Sequence, residues 1–497
     1  MLKLFKSSWG DIFAIMAGIL YTLAFSPFDF PIFAFISLAI FRLLICQLTT
    51  KKAILRGFLF GLGLFGSGVS WVFVSMVINE QTSFMMPASM TLFYCSFWAT
   101  FPAISAYLFV KLQSNEGFDC LLFSCAWVFV EYIRGEWVLN GFPWLQISYS
   151  QLDTPLSAFV PISGVYGTSL ICAMIASLLA EIILGKHYRS KCIAVVMVFL
   201  IFGVMLKKVN WTTTSGGSIK VALIQGNIAQ KDKWVLENRN ITLKQYYDDS
   251  AKHWDSDIII WPETAVPQLL NFADDTLAAI ASAADGVPVI TGIQRRQDKR
   301  YFNSLVVLDA LGVPSLTYDK THLVPFGEYV PFGNVLARFG ITGFASQTGS
   351  GYSAGPGPQI LDLAIGKALP LICYEAVFPQ LLNSAPARAD MLIQVTNDAW
   401  FGTYSGPYQH LVQARMRAAE QGLPMIRVAN TGVSAMIDGY GRIRESLPLG
   451  EAGFVDARLP QPLAPTLYSR TGDIPVFVLL LILSGFVAAR SRRPTSS

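Results

Sequence analysis

Charged side chains are scarce in this chain: Asp, Glu, Lys and Arg make up 14% of its 497 residues, where an ordinary globular protein carries about 25%. Hydrophobic residues fill 53% of the chain and mean hydropathy is +0.46, which excludes disorder and a purely water-soluble fold together. The two signs nearly cancel, 37 basic against 33 acidic. No dense Lys/Arg tract occurs, so the footprint of a nucleic-acid binder is missing. Histidine is scarcer still. The four, His187, His253, His322 and His410, form no Cys/His cluster with ligand spacing, and a metal site is not expected. No Walker-type glycine loop is present either, and no cofactor is expected. Cysteines number seven. Six (Cys46, Cys95, Cys120, Cys125, Cys172 and Cys192) lie in or beside apolar stretches, where a thiol packs as a small hydrophobe.

The long apolar runs cluster. Eight stand out, roughly Trp9 to Phe25, Pro31 to Cys46, Gly57 to Ile78, Phe84 to Val110, Cys120 to Ile133, Ala158 to Leu184, Cys192 to Leu206 and Ile474 to Ala489. A spanning helix needs about 20 apolar residues, so the shorter runs borrow uncharged neighbours at their ends. The first run ends in Phe25-Ser26-Pro27 without a small-x-small cleavage site and is expected to be retained. Lys and Arg near span ends mark the cytoplasmic side. One alternate set of connections holds Lys3, Lys6, Lys51, Lys52, Arg56, Lys111, Lys186, Arg189, Lys191, Arg490, Arg492 and Arg493, whereas 26–30 and 79–83 hold none. Lys207 and Lys208 run against this pattern. The expectation is a membrane domain of seven spans at 1–208, an exterior domain at 209–473, and a last span with a cytoplasmic tail at 474–497. Within the spans, Arg42, Glu131 and Glu181 are expected to snorkel from near span ends. Gly57 and Gly61 have the spacing that lets helices approach closely.

The exterior block changes to short β-branched runs between helical and glycine-rich pieces, an α/β pattern. Expected strands are Lys220–Ile224, Asp257–Trp261, Val289–Ile293, Ser304–Leu308, Leu369–Cys373, Met391–Val395 and Gly432–Ile437. Expected helices are Thr242–Lys252, Asp274–Ala284 and Tyr408–Gln421. Residues 346–358 read as loop.

Cys373 is the solitary thiol of this block. Compartments that oxidise thiols normally hold paired cysteines, so an unpaired one calls for a reason. It closes the apolar run Ala368-Leu369-Pro370-Leu371-Ile372, a position from which a side chain reaches a cleft. A packing thiol and a nucleophile both fit. A nucleophilic thiol needs a base or a cation, and no histidine stands in a protease-like setting. Two other candidates do: Glu263 ends the run Asp257-Ile258-Ile259-Ile260-Trp261-Pro262, and Lys320 lies between the two in Tyr318-Asp319-Lys320-Thr321-His322. Carboxyl edges of strands are where α/β sheets present their chemistry.

Together Trp261-Pro262-Glu263, Lys320-Thr321-His322-Leu323-Val324-Pro325-Phe326-Gly327-Glu328 and Cys373-Tyr374-Glu375 resemble, in order and setting, the motifs of the nitrilase superfamily. With the attached spans, Gly66-Ser67-Gly68-Val69-Ser70-Trp71, Gly141-Phe142-Pro143-Trp144, Tyr149-Ser150-Gln151, Gln225-Gly226-Asn227, Gln230, Lys233-Trp234 and Asn397-Asp398-Ala399-Trp400-Phe401-Gly402, the chain resembles that superfamily's membrane branch, the apolipoprotein N-acyltransferases. The resemblance covers nearly the whole chain. It implies an α-helical membrane bundle of about eight spans plus an exterior α/β nitrilase-like αββα sandwich. It also implies a catalytic triad of Glu263 (base), Lys320 (electrostatic stabiliser) and Cys373 (nucleophile), supported by Glu328, Tyr374, Glu375 and Trp234.

The implied partners are the lipid bilayer, a phospholipid acyl donor and a diacylated apolipoprotein acceptor, with the protein a monomer in the bacterial inner membrane and its catalytic domain on the periplasmic side. The segments 332–341 and 346–358 would be gates at the lipid level. A membrane-tethered amidase or lipid hydrolase uses the same triad, and a transporter with an exterior binding domain fits the spans but leaves Glu263, Lys320 and Cys373 unexplained.

Overall fold

The computed structural model describes residues 9–77, 84–113, 118–184, 189–207, 218–331 and 351–491. The expected gate 332–341, and 346–350 of the second one, lie outside these residues, as do Lys3, Lys6 and Lys186. The described chain folds as two compact units, a helical one from 9–207 and 467–491 and an α/β one from 218–466.

In the helical unit, α1 (Trp9–Thr22), α2 (Ile32–Ile45), α3 (Thr50–Gly68), α4 (Trp71–Val77), α5 (Met85–Leu112), α6 (Asp119–Tyr132), α7 (Val160–Leu184), α8 (Arg189–Lys207) and the C-terminal helix Ile474–Ser491 fall on the eight apolar runs. Among the described residues three helices are long and apolar enough to cross a membrane by length and composition, or four if α3 and α4, bent by 59° to one another, form one broken span. Trp9–Thr22, Ile32–Ile45 and Ile474–Gly485 are shorter apolar helices. Small residues set the close packing. A Cβ on Gly57 or Gly61 would stand 2.6 Å from the Cα of Ala103 or Ala99 on α5, and one on Gly63 would stand 2.2 Å from the Ile15 carbonyl oxygen on α1.

The expected snorkelling does not occur. Arg42 on α2 is 1% exposed, pairs with Glu181 on α7 and donates to the Ser177 carbonyl at 2.8 Å. Glu131 is buried as well. A partner 139 residues away neutralises the charge inside the bundle, and a local reading of the sequence does not see it.

The α/β unit holds two sheets. The first has the order β13-β1-β2-β4-β5-β6 with β3 also paired to β4, and the second β12-β11-β10-β9-β8-β7. The first comprises β1 (Lys220–Gln225), β2 (Ile258–Ile260), β3 (Val266–Leu269), β4 (Val289–Gln297), β5 (Arg300–Leu308), β6 (Pro314–Asp319) and β13 (Gly453–Arg458). The second comprises β7 (Leu361–Leu363), β8 (Gly366–Ile372), β9 (Met391–Thr396), β10 (Met425–Ala429), β11 (Ser434–Ile437) and β12 (Ile443–Leu447). All seven expected strands are present, within a few residues at each end. β1, β2 and β4 run parallel, and so do β8, β9 and β10, which sets chain reversals aside and brings several strand ends to one edge. One apolar cluster takes side chains from both sheets, among them Val221, Ile260, Leu305, Ile372, Ile393 and Val428. The other faces are covered by helices: Arg239–Ser250 and Asp274–Ala283 on the first sheet, and Gly406–Gln421 on the second. Alternation along each strand thus splits its apolar residues between two cores.

Candidate active site

The three residues of the expected triad each follow a strand. Glu263 follows β2, Lys320 follows β6, and Cys373 follows β8. Both β4–β5 and β5–β6 pair antiparallel, so β6 runs with β4 and β2, and Glu263 and Lys320 leave the first sheet at its carboxyl edge. Gly292 on β4 makes room for the acid. A Cβ there would lie 2.3 Å from the Thr264 nitrogen and 2.6 Å from the Cα of Glu263.

The carboxylate of Glu263 is held on both oxygens. Asn303 Nδ2 on β5 donates to Oε1 at 2.6 Å, and the Asn397 backbone N–H, just past β9, donates to Oε2 at 2.7 Å. Lys320 Nζ lies 3.9 Å from Oε1 and donates to Glu328 Oε1 at 2.9 Å. Glu328 also accepts from Asn303 at 3.3 Å and, through Oε2, from the Val324 N–H at 2.8 Å. Burial pushes the Glu263 carboxyl above the ordinary carboxylate range, with Lys320 opposing and Glu328 adding to the rise. Burial alone would lower Lys320, but Glu328, then Cys373 and Glu263, outweigh it and hold the ammonium charged.

Cys373 begins a 3-10 turn, Cys373–Val377, with φ +52°. A left-handed conformation costs a non-glycine residue about 1–2 kcal/mol, so the chain turns sharply out of β8 at the thiol. The expected strand Leu369–Cys373 therefore stops one residue short. The side chain is buried. Burial raises the thiol pKa, the Glu263 charge raises it further, and Lys320 pulls it down.

Glu375 plays a structural part. It is fully buried, accepts from the Ile372 N–H through Oε2 at 2.7 Å, and through Oε1 from Thr321 N–H at 2.6 Å, Thr321 Oγ1 at 2.9 Å, His322 N–H at 3.1 Å and Tyr318 Oη at 3.0 Å. One carboxylate thus ties the Cys373 turn to the segment that bears Lys320. The Tyr374 ring packs on Phe378 at 4.9 Å and near His322 at 5.8 Å. Trp234 is half-buried and, among the described residues, makes no hydrogen bond to Glu263, Lys320 or Cys373. Its neighbour Lys233 does reach the site: buried, it donates to the Glu263 carbonyl at 3.0 Å. No group of three or more His, Cys, Asp and Glu side chains suited to a metal ion occurs among the described residues.

Asn303 escaped the sequence reading, although a polar residue inside the apolar strand Phe302-Asn303-Ser304-Leu305-Val306-Val307 was a legible sign of a buried partner.

Residues 17–178 match the apolipoprotein N-acyltransferase N-terminal domain, and residues 220–465 match the carbon-nitrogen hydrolase family. The apolipoprotein N-acyltransferase of Methylococcus capsulatus is 39% identical over 495 residues, covering 98% of this chain and 97% of that one. The chain belongs to the apolipoprotein N-acyltransferase family. The apolipoprotein N-acyltransferase of Pseudomonas syringae pv. tomato is 38% identical, covering 98% of both chains. A variant of the amidase from Nesterenkonia AN1, of the nitrilase superfamily, superimposes with a TM-score of 0.40 at 14% identity, covering 53% of this chain and 98% of that one. In this chain a helical N-terminal part with several apolar helices precedes an α/β part of the carbon-nitrogen hydrolase type.

Proposed function

We propose that Cys373 is the nucleophile, Glu263 the general base and Lys320 the electrostatic stabiliser of an acyl transfer from a membrane phospholipid to the α-amino group of an N-terminal diacylglyceryl-cysteine. Family membership supports the reaction. The single observation that carries the residue assignment is the junction of a buried carboxylate and a buried ammonium, 3.9 Å apart, beside the turn that bears the one cysteine of the α/β unit.

The resting thiol is protonated, because burial holds its pKa up. It loses its proton to Glu263 as sulfur attacks the ester carbonyl, and the same acid returns that proton to the departing glycerol oxygen. The acyl group is then held as a thioester. Charge on the tetrahedral oxygen meets the Lys320 ammonium and the Tyr374 backbone N–H, donors of a kind typically worth about 3–4 kcal/mol each. In the second half-reaction the amine attacks the thioester, Glu263 takes its proton, and an amide forms with the thiol restored. An α-amino group titrates at about 7.7–8.0, so a useful fraction is neutral at physiological pH and little activation is required. Glu328 holds Lys320 in place, and Glu375 fixes the turn. Tyr374 lines the acyl pocket, and Trp234 grips a lipid chain of the substrate.

We infer further that the two sheets with their covering helices, 218–466, make an αββα sandwich on the periplasmic side, and that the helical part crosses the bacterial inner membrane eight times, the protein being a monomer. Both substrates are anchored in lipid, where extraction costs about 0.8 kcal/mol per CH2, which favours a catalytic domain carried by spans.

The test is incubation of the purified protein with acyl-labelled phospholipid and a diacylated N-terminal lipopeptide. Triacylated peptide is expected, with loss of about a thousandfold or more in Cys373→Ala, and an acyl-enzyme at Cys373 that forms in neither Cys373→Ala nor Glu263→Gln. Release of free fatty acid alone would make the protein a hydrolase instead.

A further inference from the structure

Behind the nucleophile, a second set of buried polar groups converges on the main chain of Cys373, and no step above uses it. Gln394 on β9 donates from Nε2 to the Cys373 carbonyl at 3.1 Å. Its Oε1 accepts from Arg427 Nη1 on β10 at 2.7 Å. His410, on the helix Gly406–Gln421, places Nε2 3.2 Å from the Gln394 amide nitrogen and 3.2 Å from the Cys373 carbonyl oxygen. Its Nδ1 lies 2.8 Å from Asp398 Oδ1, which also accepts from Thr396 Oγ1 at 3.0 Å, while Oδ2 accepts from Arg427 Nη2 at 2.5 Å. Gln394, Asp398, His410 and Arg427 are each fully buried.

Burial holds His410 in its neutral form, and one tautomer suits its neighbours. Asp398 is an acceptor paired with the Arg427 cation, so His410 donates Nδ1–H to it and offers Nε2 as an acceptor. The Gln394 amide then donates to the Cys373 carbonyl, with His410 Nε2 beside it as a second acceptor. Its oxygen faces Arg427, so the amide has a single satisfied orientation. Everything in the cluster that can turn is held.

The Cys373 carbonyl and the Tyr374 N–H belong to one planar trans peptide, in which the two point in opposite directions. Fixing the carbonyl end fixes where the N–H end points. We infer that Gln394, oriented by His410 and Arg427, is a positioning residue that aims the Tyr374 N–H at the developing oxyanion by holding the other end of the same peptide. The inference rests on the assignment of Cys373 as nucleophile. Without the clamp, the 3-10 turn that begins at Cys373 still restrains this peptide, but the carbonyl loses its side-chain donor and the N–H loses its fixed aim. The thiol itself would keep its partners, because Glu263 and Lys320 are held by Asn303, Asn397 and Glu328.

The experiment separates oxyanion formation from thiol reactivity. Gln394→Met keeps the side-chain length and removes both donors. In the double variant Gln394→Met/His410→Asn, the ring that could shift its proton to Nε2 and replace the lost donor is also gone, while Asn can still donate to Asp398. Two rates are measured on folded, detergent-solubilised protein: acyl-enzyme formation from acyl-labelled phospholipid, with its kcat and KM, and alkylation of Cys373 by iodoacetamide, a displacement that forms no oxyanion. The expected result is acylation slowed about tenfold or more at unchanged KM, with alkylation within about twofold of wild type. Acylation within twofold of wild type in the double variant, or in the single one if the double does not fold, overturns the inference, and so does a parallel fall of acylation and alkylation. A wild-type protein whose acyl group is found elsewhere than on Cys373 would sink the nucleophile assignment itself, which is a separate and recognisable failure.

Discussion

Lys233 shows how one residue tunes the carboxylate proposed as the base. Its ammonium is buried against the Glu263 carbonyl, and burial pushes its pKa down to about 8, with Glu263 and Cys373 pulling the other way. Its charge acts in turn on Glu263, favouring the ionised carboxylate. Replacing it by Met removes that help, so Glu263 holds its proton to higher pH. With Glu263 as the proposed base, transfer needs it ionised at the start, and the acidic limb of a kcat/KM profile reports that ionisation in the free enzyme. Lys233→Met is therefore expected to move the acidic limb to higher pH and to cost about threefold to tenfold in kcat/KM at pH 6. A profile whose acidic limb stays in place would show that Lys233 only braces the backbone at Glu263.

At the scale of elements, the packing of α3 on its neighbours makes one substitution act with opposite sign at two sites. A Cβ on Gly61 would sit 2.6 Å from the Cα of Ala99, whereas one on Gly66 meets nothing within 4 Å. Gly-to-Ala in a helix interior gains about 1 kcal/mol of propensity, and forcing atoms into a packed interface costs about 1–3 kcal/mol. Gly66→Ala should raise or leave the melting temperature in detergent, and Gly61→Ala should lower it by several degrees. Equal shifts would mean that α3 and α5 do not depend on this close approach. The same distinction between local and distant causes explains what the sequence made legible. Glu263, Lys320 and Cys373 each stand at or just past the end of a strand and within a recognisable motif, so they could be read from their neighbours alone. β6 (Pro-Ser-Leu-Thr-Tyr-Asp) and β12 (Ile-Arg-Glu-Ser-Leu) were not read, because most of their positions are exposed or polar, so no apolar run marks them, although each pairs with the strand just before it, β5 and β11. β13 was missed for a different reason: its register is fixed by β1, more than 200 residues earlier. Gln394 and His410 lie within or beside expected elements, but their orientation toward Cys373 exists only once β9 and the helix Gly406–Gln421 are assembled.

Across the whole molecule, the pairing of Arg42 with Glu181 is the clearest case of a property that belongs to the assembled chain. Each residue alone in an apolar helix reads as a liability, and the sequence offers only escape to a span end as relief. In the fold they neutralise one another between α2 and α7, two helices packed together, with the Ser177 carbonyl taking a second guanidinium donor. A buried pair of this kind adds little over an apolar pair of the same volume, but removing one partner strands the other charge at a cost of about 3–5 kcal/mol. Arg42→Met and Glu181→Met should therefore each destabilise the detergent-solubilised protein strongly, and Arg42→Met/Glu181→Met should recover most of the loss. Thermal unfolding followed for all four proteins gives the coupling directly. If the double variant is as unstable as the sum of the singles, the two charges act independently and the ion pair does not hold α2 against α7.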